Sequence, residues 1–194
     1  MPSGTLSPGS ASRVIYYFFK ALEVVHNLGY LLRRVDPNVI KFDAATRQIY
    51  LSDLSSTRLD PTRAKMTVHV RWAGAAQYAP LQHHQMKTHL RRHDPEAGLY
   101  LLVEMTLGKL PWEGTPPDMM GSAKRSAITS QSLFSKCPPQ YATLYTIVSC
   151  LGDNDKIDYG QLYSKLEDAW KSTGVGDIAA AYDWEAHMKP LEEQ

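Results

Sequence analysis

Apolar residues recur at helical spacing from Ser12 to Asn27, where Val14, Phe18, Ala21, Leu22 and Val25 line one face. Gly29 stands where a C-terminal cap belongs, so the pattern predicts a helix ending near Asn27. The period then changes. Two short β-prone runs, Val39-Ile40-Lys41-Phe42 and Ile49-Tyr50-Leu51, flank the polar stretch Asp43 to Gln48 and predict a hairpin. Residues 53–93 keep neither period and read as a long irregular segment, a kind of segment that often carries function. Asp94-Pro95-Glu96 then has the composition of a helix start: an N-capping carboxylate, a proline suited to the first turn and a second acid at the positive end. The helix it opens, to Leu107 before Gly108, is apolar on most sides and is expected at the centre of a domain. Further helices are expected from Pro117 onward. One carries Tyr141, Leu144, Tyr145, Val148 and Leu151; another, capped by Asp158, carries Tyr159, Leu162, Tyr163, Leu166, Ala169 and Trp170.

Composition narrows the class. At 194 residues the chain is long enough for one domain that buries roughly 70% of its unfolded surface. Its hydrophobic fraction of 43% and charged fraction of 21% exclude a collagen, a disulfide scaffold and a wholly disordered protein. No apolar run approaches the ~18 residues of a membrane span, since Gly98 to Leu107 is interrupted by Glu104. Met1 to Arg13 is rich in Ser, Gly and Pro and lacks the apolar core of a signal peptide. With only Cys137 and Cys150, reduced thiols and a cytoplasmic or nuclear address are expected. The net charge of +1 conceals a division: residues 1–97 carry 13 Lys/Arg and 7 Asp/Glu, residues 98–194 carry 8 and 13. A basic face for an acidic or phosphorylated partner is one consequence, an unevenly solvated surface the other.

Several motifs occur in a telling order. His26-Asn27-Leu28-Gly29-Tyr30-Leu31-Leu32-Arg33-Arg34-Val35-Asp36-Pro37 resembles the HN-G-[FY]-L-H-R-D-[IV]-K-P catalytic loop of protein kinases. Ile49-Tyr50-Leu51-Ser52-Asp53-Leu54-Ser55 resembles the strand and D-F-G that follow it. Gly74-Ala75-Ala76-Gln77-Tyr78-Ala79-Pro80 is similar to the G-T-x-R-Y-A-S of the casein kinase I superfamily. Leu102-Val103-Glu104 and Gly108-Lys109-Leu110-Pro111-Trp112 are similar to its L-V-E and G-x-L-P-W, and Tyr182-Asp183-Trp184-Glu185 to the F-D-W-E of its tau-tubulin kinase branch. The resemblance implies a mainly α fold, a kinase-like C-terminal lobe with a small β-hairpin and no N-terminal lobe. It covers residues 12–187, between a flexible start (1–11) and a tail (188–194).

The departures from that pattern imply lost chemistry. Arg34 stands where the family has the Asp that orients the substrate hydroxyl, Asp36 where it has Lys, and Val39 where it has the Asn that ligates a second magnesium ion. Asp53 matches the metal-binding Asp of D-F-G as a vestige, Ser55 replaces its Gly, and Ala75 replaces the Thr of the activation segment. No glycine-rich loop, strand lysine or partner glutamate precedes Ser12. Phosphoryl transfer rests on positioning and charge stabilisation, so the resemblance implies a pseudokinase lobe with no catalytic residues that needs neither ATP nor magnesium. The expected role is a scaffold for acidic or phosphorylated protein segments; the alternative is a serine/threonine kinase with residual or partner-completed activity, which would use both.

Asp36 lies two residues beyond the lost base and could be imagined in that role, but a carboxylate near a substrate is not a base without alignment. His83, His84, His89 and His93 suggest zinc, but no Cys completes a ligand set and they read as surface histidines. Cys137 and Cys150 carry no nucleophile signature. Asp94 is read as structural: the resemblance has the matching carboxylate accept N–H bonds from the Leu32 to Arg34 turn, and helix capping is the simpler role. The casein kinase I resemblance implies that basic groups of this region receive phosphorylated or acidic segments, which makes Arg58, Arg63, Lys65 and Arg71, joined by Arg91 and Arg92, the candidate anion- and peptide-binding group; a solvated basic surface is the other reading. Without interleaved aromatics they do not suggest nucleic acid, and no membrane role is expected. An exposed apolar patch is expected around Ile40, Leu51 and Leu54.

Overall fold

The first helix begins earlier than its apolar stripe does. In the computed structural model, which describes residues 4–63 and 68–188, α1 runs Pro8–Asn27. The Ser7 hydroxyl accepts from the Ser10 N–H at 3.2 Å, and Pro8 takes the first helical position. A Ser-Pro pair thus serves as a cap inside the segment read as a flexible start. Glycine matters one residue on, because a Cβ on Gly9 would lie 2.9 Å from both Thr173 and Val175.

Behind α1 the chain forms two antiparallel ribbons. The predicted hairpin is β2 (Ile40–Asp43) with β3 (Gln48–Leu51), in register Ile40 to Leu51 and Phe42 to Ile49. The other ribbon joins β1 (Tyr30–Leu31) to β4 (Arg58–Leu59), pairing Tyr30 with Leu59. Two-residue strands leave no readable alternation, so the sequence alone does not reveal this second ribbon. Elsewhere, the described part of 53–93 is irregular apart from short 3-10 turns.

At the centre lies α2 (His93–Leu107), every residue of it buried from His93 to Val103. It packs on α1 at Gly98, where a Cβ would lie 2.8 Å from Phe19 and 2.9 Å from Phe18. Gly108 ends it at φ 79°, the left-handed conformation that glycine adopts cheaply. The helices α3 (Met120–Thr129), α4 (Pro139–Ser149) and α5 (Tyr159–Lys171) follow, and Asp158 caps α5 by accepting from the Gln161 N–H.

The chain's last described stretch clasps its beginning. Asp183 accepts from the N–H and hydroxyl of Ser7 at 2.5 and 2.8 Å. Arg13, fully buried, donates to the carbonyls of Ile178, Ala180 and Ala181 and lies 4.3 Å from the Tyr182 ring centre. Arg47 grips Glu185 through both oxygens, and Trp184 packs on Tyr182 and Phe42. Both cysteines are free, and no helix of the described residues is long and apolar enough to cross a membrane.

The expected apolar patch needs correction. Ile40 and Leu51 are half-buried against the core, and only Leu54, 50% exposed, stands open there with Tyr50 beside it.

Candidate functional site

Asp94 organises the loop that follows β1. It sits inside the first turn of α2 rather than before it, and its carboxylate turns away from the helix's own N–H groups. Its oxygens accept from the backbone N–H of Leu32 and Arg33, both at 2.8 Å. They also meet His26 Nε2 at 3.0 Å and His89 Nε2 at 2.8 Å, with the Tyr159 hydroxyl 2.7 Å from His26 Nδ1. Burial pushes the Asp94 carboxyl up, but the imidazoles of His89 and His26 outweigh it and hold the group well below the usual carboxylate range. The loop role is therefore the one Asp94 plays, and capping is not.

The same contacts correct the reading of the histidines. His89 and His93 are buried, not on the surface, and His83 and His84 are half-buried. The four do not form a metal site, since no group of three or more His, Cys, Asp or Glu suited to an ion occurs among the described residues. His93 Nδ1 accepts from the Leu90 N–H, and burial, with His89 and Arg92 nearby, pushes its pKa down to about 3.

Arg34, at the position the resemblance assigns to the base, is folded back on the neighbouring carboxylates. Its Nε donates to Asp36 Oδ2 at 2.8 Å and its Nη1 to Asp53 Oδ2 at 3.0 Å. Asp36 Oδ1 accepts from the Asn38 N–H at 2.8 Å, so both oxygens of Asp36 are engaged. Asp53 Oδ1 accepts from the Ser55 N–H at 2.8 Å. The Ser55 side chain and N–H, and then the Arg34 charge, hold the Asp53 carboxyl below its usual range. Val39, at the position of the second metal ligand, is buried in the core. One guanidinium thus joins the two carboxylates of this corner and offsets one of their two negative charges, leaving the trio net negative.

The candidate basic residues separate into two places. Arg58 and Arg71 line a cleft of about 410 Å³ with Leu59, Pro61 and Val68. Arg33, missed in the sequence reading, lines it too. Its backbone is held at φ 66°, Nε donates to Arg71 O at 2.6 Å and Nη1 to Ser56 O at 2.8 Å. Burial and then the Arg58 charge lower its pKa, and no carboxylate lines this cleft among the described residues. Its signal was available, since Arg33 is the arginine of the matched loop motif. Arg63 lies elsewhere: its guanidinium crosses Gly29, reaches Asn27 O at 3.4 Å, and lines a pocket of about 200 Å³ with Arg91, Lys156 and the carboxylate-bearing Glu23. Arg91 is tied to buried Asp60, and Arg92 to Asp153 and Leu151 O. Lys65 lies outside the described residues.

The end of the irregular segment is fastened from below. Buried Lys124 donates from Nζ to the carbonyls of Ala76 and Ala79 beside the Tyr100 and Trp112 rings, and burial pushes its pKa down to about 7. Glu104 accepts from the Tyr78 hydroxyl and from Gln77.

A mainly helical lobe with this hairpin, this loop and this anchoring aspartate is a protein kinase-like domain of the C-terminal-lobe type. Sequence comparison supports that class. The chain is 30% identical over 194 residues to a "Probable serine/threonine-protein kinase" of Dictyostelium discoideum, covering 94% of this chain and 38% of that protein. It is 29% identical over 175 residues to a "Probable casein kinase I homolog" of Encephalitozoon cuniculi, covering 84% and 57%. With the serine/threonine-protein kinase spe-6 of Caenorhabditis elegans it shares 26% identity over 197 residues, covering 95% and 52%. The chain thus spans between about a third and three-fifths of the length of these relatives. No protein-family model matches it.

Proposed function

We propose that this lobe is catalytically impaired and acts as a binding module for acidic or phosphorylated protein segments, in the manner of a pseudokinase of the casein kinase I superfamily with tau-tubulin kinase-like features. The observation that carries the reading is the Asp36–Arg34–Asp53 bridge. A metal-bound phosphate needs Asp53 as a free carboxylate and a general base within reach of a hydroxyl. Here a fixed guanidinium takes the first and replaces the second. The cleft of Arg33, Arg58 and Arg71 supports the binding half of the proposal, because planar guanidinium groups match carboxylate and phosphate oxygens in pairs. At an exposed site each pair contributes only ~0.2–1 kcal/mol, so binding should be micromolar at best and weaken with salt.

A thermal shift with magnesium and ATP, together with a labelled-phosphate assay on casein and tubulin, tests the catalytic half. Neither stabilisation nor transfer is expected. Nucleotide-dependent stabilisation, or transfer abolished by Asp53→Asn, overturns it and favours the second reading, a serine/threonine kinase completed by a partner. That reading draws on the names of the relatives and on Asp53, which keeps about a third of its side chain exposed.

A further inference from the structure

An apolar strip lies between Arg63, whose pocket Glu23 also lines, and the cleft of Arg58 and Arg71. Leu28 is 68% exposed, Tyr30 45% and Leu59 51%, unusual values for large apolar side chains so close together. Their adjacency follows from the fold. Tyr30 and Leu59 are directly paired across the β1–β4 ribbon, so their side chains share a face. Leu28 precedes Tyr30 across Gly29, whose φ of 90° turns the chain out of α1 into β1. On one side of the strip Arg63 lies across Gly29, where a Cβ would meet its Nη1 at 2.8 Å. On the other side Leu59 continues into the cleft that holds Arg58 and Arg71, together with Val68, itself 47% exposed.

An apolar centre between cationic ends fits one kind of partner. A purely acidic chain would leave Leu28, Tyr30 and Leu59 in water, and a purely apolar one would leave the arginines unmatched. We propose that this surface docks an extended acidic segment of another protein, with large apolar side chains seated on Leu28, Tyr30 and Leu59 and flanking carboxylates or phosphates on Arg63 at one end and on Arg58 and Arg71 at the other. The proposal rests on the anion-binding half of the function above and adds what that reading lacks, a source of specificity. Exposed ion pairs attract any acidic chain, whereas burial of apolar area selects those whose apolar residues fall in register.

Fluorescence anisotropy on the full chain, with a glutamate-rich peptide carrying central Leu and Phe and the same peptide with both replaced by Ser, separates the two claims. The Leu/Phe peptide should bind about tenfold tighter, the effect of burying roughly one large side chain. Leu28→Ser and Leu59→Ser should each reduce that advantage and together remove it, with an unchanged melting temperature because both side chains are exposed. Met86→Ser, at another exposed position, should preserve it. The joint reversal of Arg58 and Arg71 to Glu should weaken both peptides alike. Equal affinity of the two peptides, with the arginine dependence intact, overturns the docking strip and leaves the anion-binding reading standing. Binding of neither peptide overturns both. Light scattering that shows wild-type self-association relieved by Leu59→Ser makes a second copy of the chain the occupant, and also overturns the proposal.

Discussion

Asp94 shows how much a single side chain can organise. It is wholly buried, yet every partner it meets is a donor: two backbone N–H groups from the loop and two imidazoles drawn from either side of it in sequence. Such a carboxylate is tolerable in a core only because its lone pairs are matched. Asp94→Asn should therefore cost ~3–5 kcal/mol, as when one partner of a buried charged network is removed, since the amide turns a donor towards donors. Denaturant unfolding measures this, and a loss of under ~1 kcal/mol would show that the loop holds its shape without the charge. Arg34 is the contrasting case. It is half-buried, and its bridge ties one oxygen of the buried Asp36 to one oxygen of the half-exposed Asp53.

Among the elements, α1 and α2 meet at a point that admits no side chain. Gly98 in the middle of α2 would ordinarily be a weakness, because glycine loses more backbone entropy than alanine on helix formation. Here the position is occupied from across the interface by Phe18 and Phe19. Gly98→Ala should destabilise by ~1–3 kcal/mol through overpacking. Gly160→Ala, on the exposed first turn of α5, would bring its Cβ 3.2 Å from Oδ1 of Asp158, an exposed side chain that can shift, and should instead be neutral or stabilise by up to ~1 kcal/mol. Opposite signs from one chemical change test whether packing or propensity governs each site, and a stabilising Gly98→Ala would refute the close approach. The clasp of residues 178–185 on α1 and the hairpin turn belongs to this scale too, because Arg13 and Arg47 bond backbone carbonyls that only a folded C-terminal stretch can present.

For the whole molecule the buried bases set the response to pH. His93 is pushed down to about 3 from an ordinary 6.5, so below pH 6.5 the unfolded chain binds a proton that the folded one refuses. Stability is present above that value and falls as pH drops, with a slope of about 1.4 kcal/mol per pH unit for the group. His84, pushed down to about 4, acts in the same direction, while Glu96 and Glu104, raised by burial, oppose it. Lys124, lowered to about 7 from 10.5, makes stability rise further across the alkaline range until tyrosines begin to ionise in the unfolded chain near 10. The melting temperature should therefore peak on the alkaline side of neutral, and His93→Gln should flatten its acid limb. An acid limb of equal slope in that variant would remove His93 from the account.

What could be read from residue order alone were the features built from near neighbours. The hairpin of Ile40–Asp43 and Gln48–Leu51, the buried helix ending at Gly108 and the Asp158 cap of α5 each follow from a local period or a local cap. Even the Asp94 contact was expected through resemblance. The sequence alone did not reveal that Ser7 and Pro8 start a helix, since the Asp183 that holds Ser7 lies 176 residues away. Nor did it reveal that His89 and His93 are buried, because a histidine's burial depends on which rings and carboxylates pack around it. Arg58, Arg63 and Arg71 looked like one group while only their order was known. Tertiary structure divided them, because the β1–β4 ribbon runs between the two pockets, and the same ribbon turned Tyr30 and Leu59 outwards, near the exposed Leu28 at the end of α1. Local sequence determines which elements form; where their side chains meet depends on packing between segments far apart in the chain, where no spacing rule reaches.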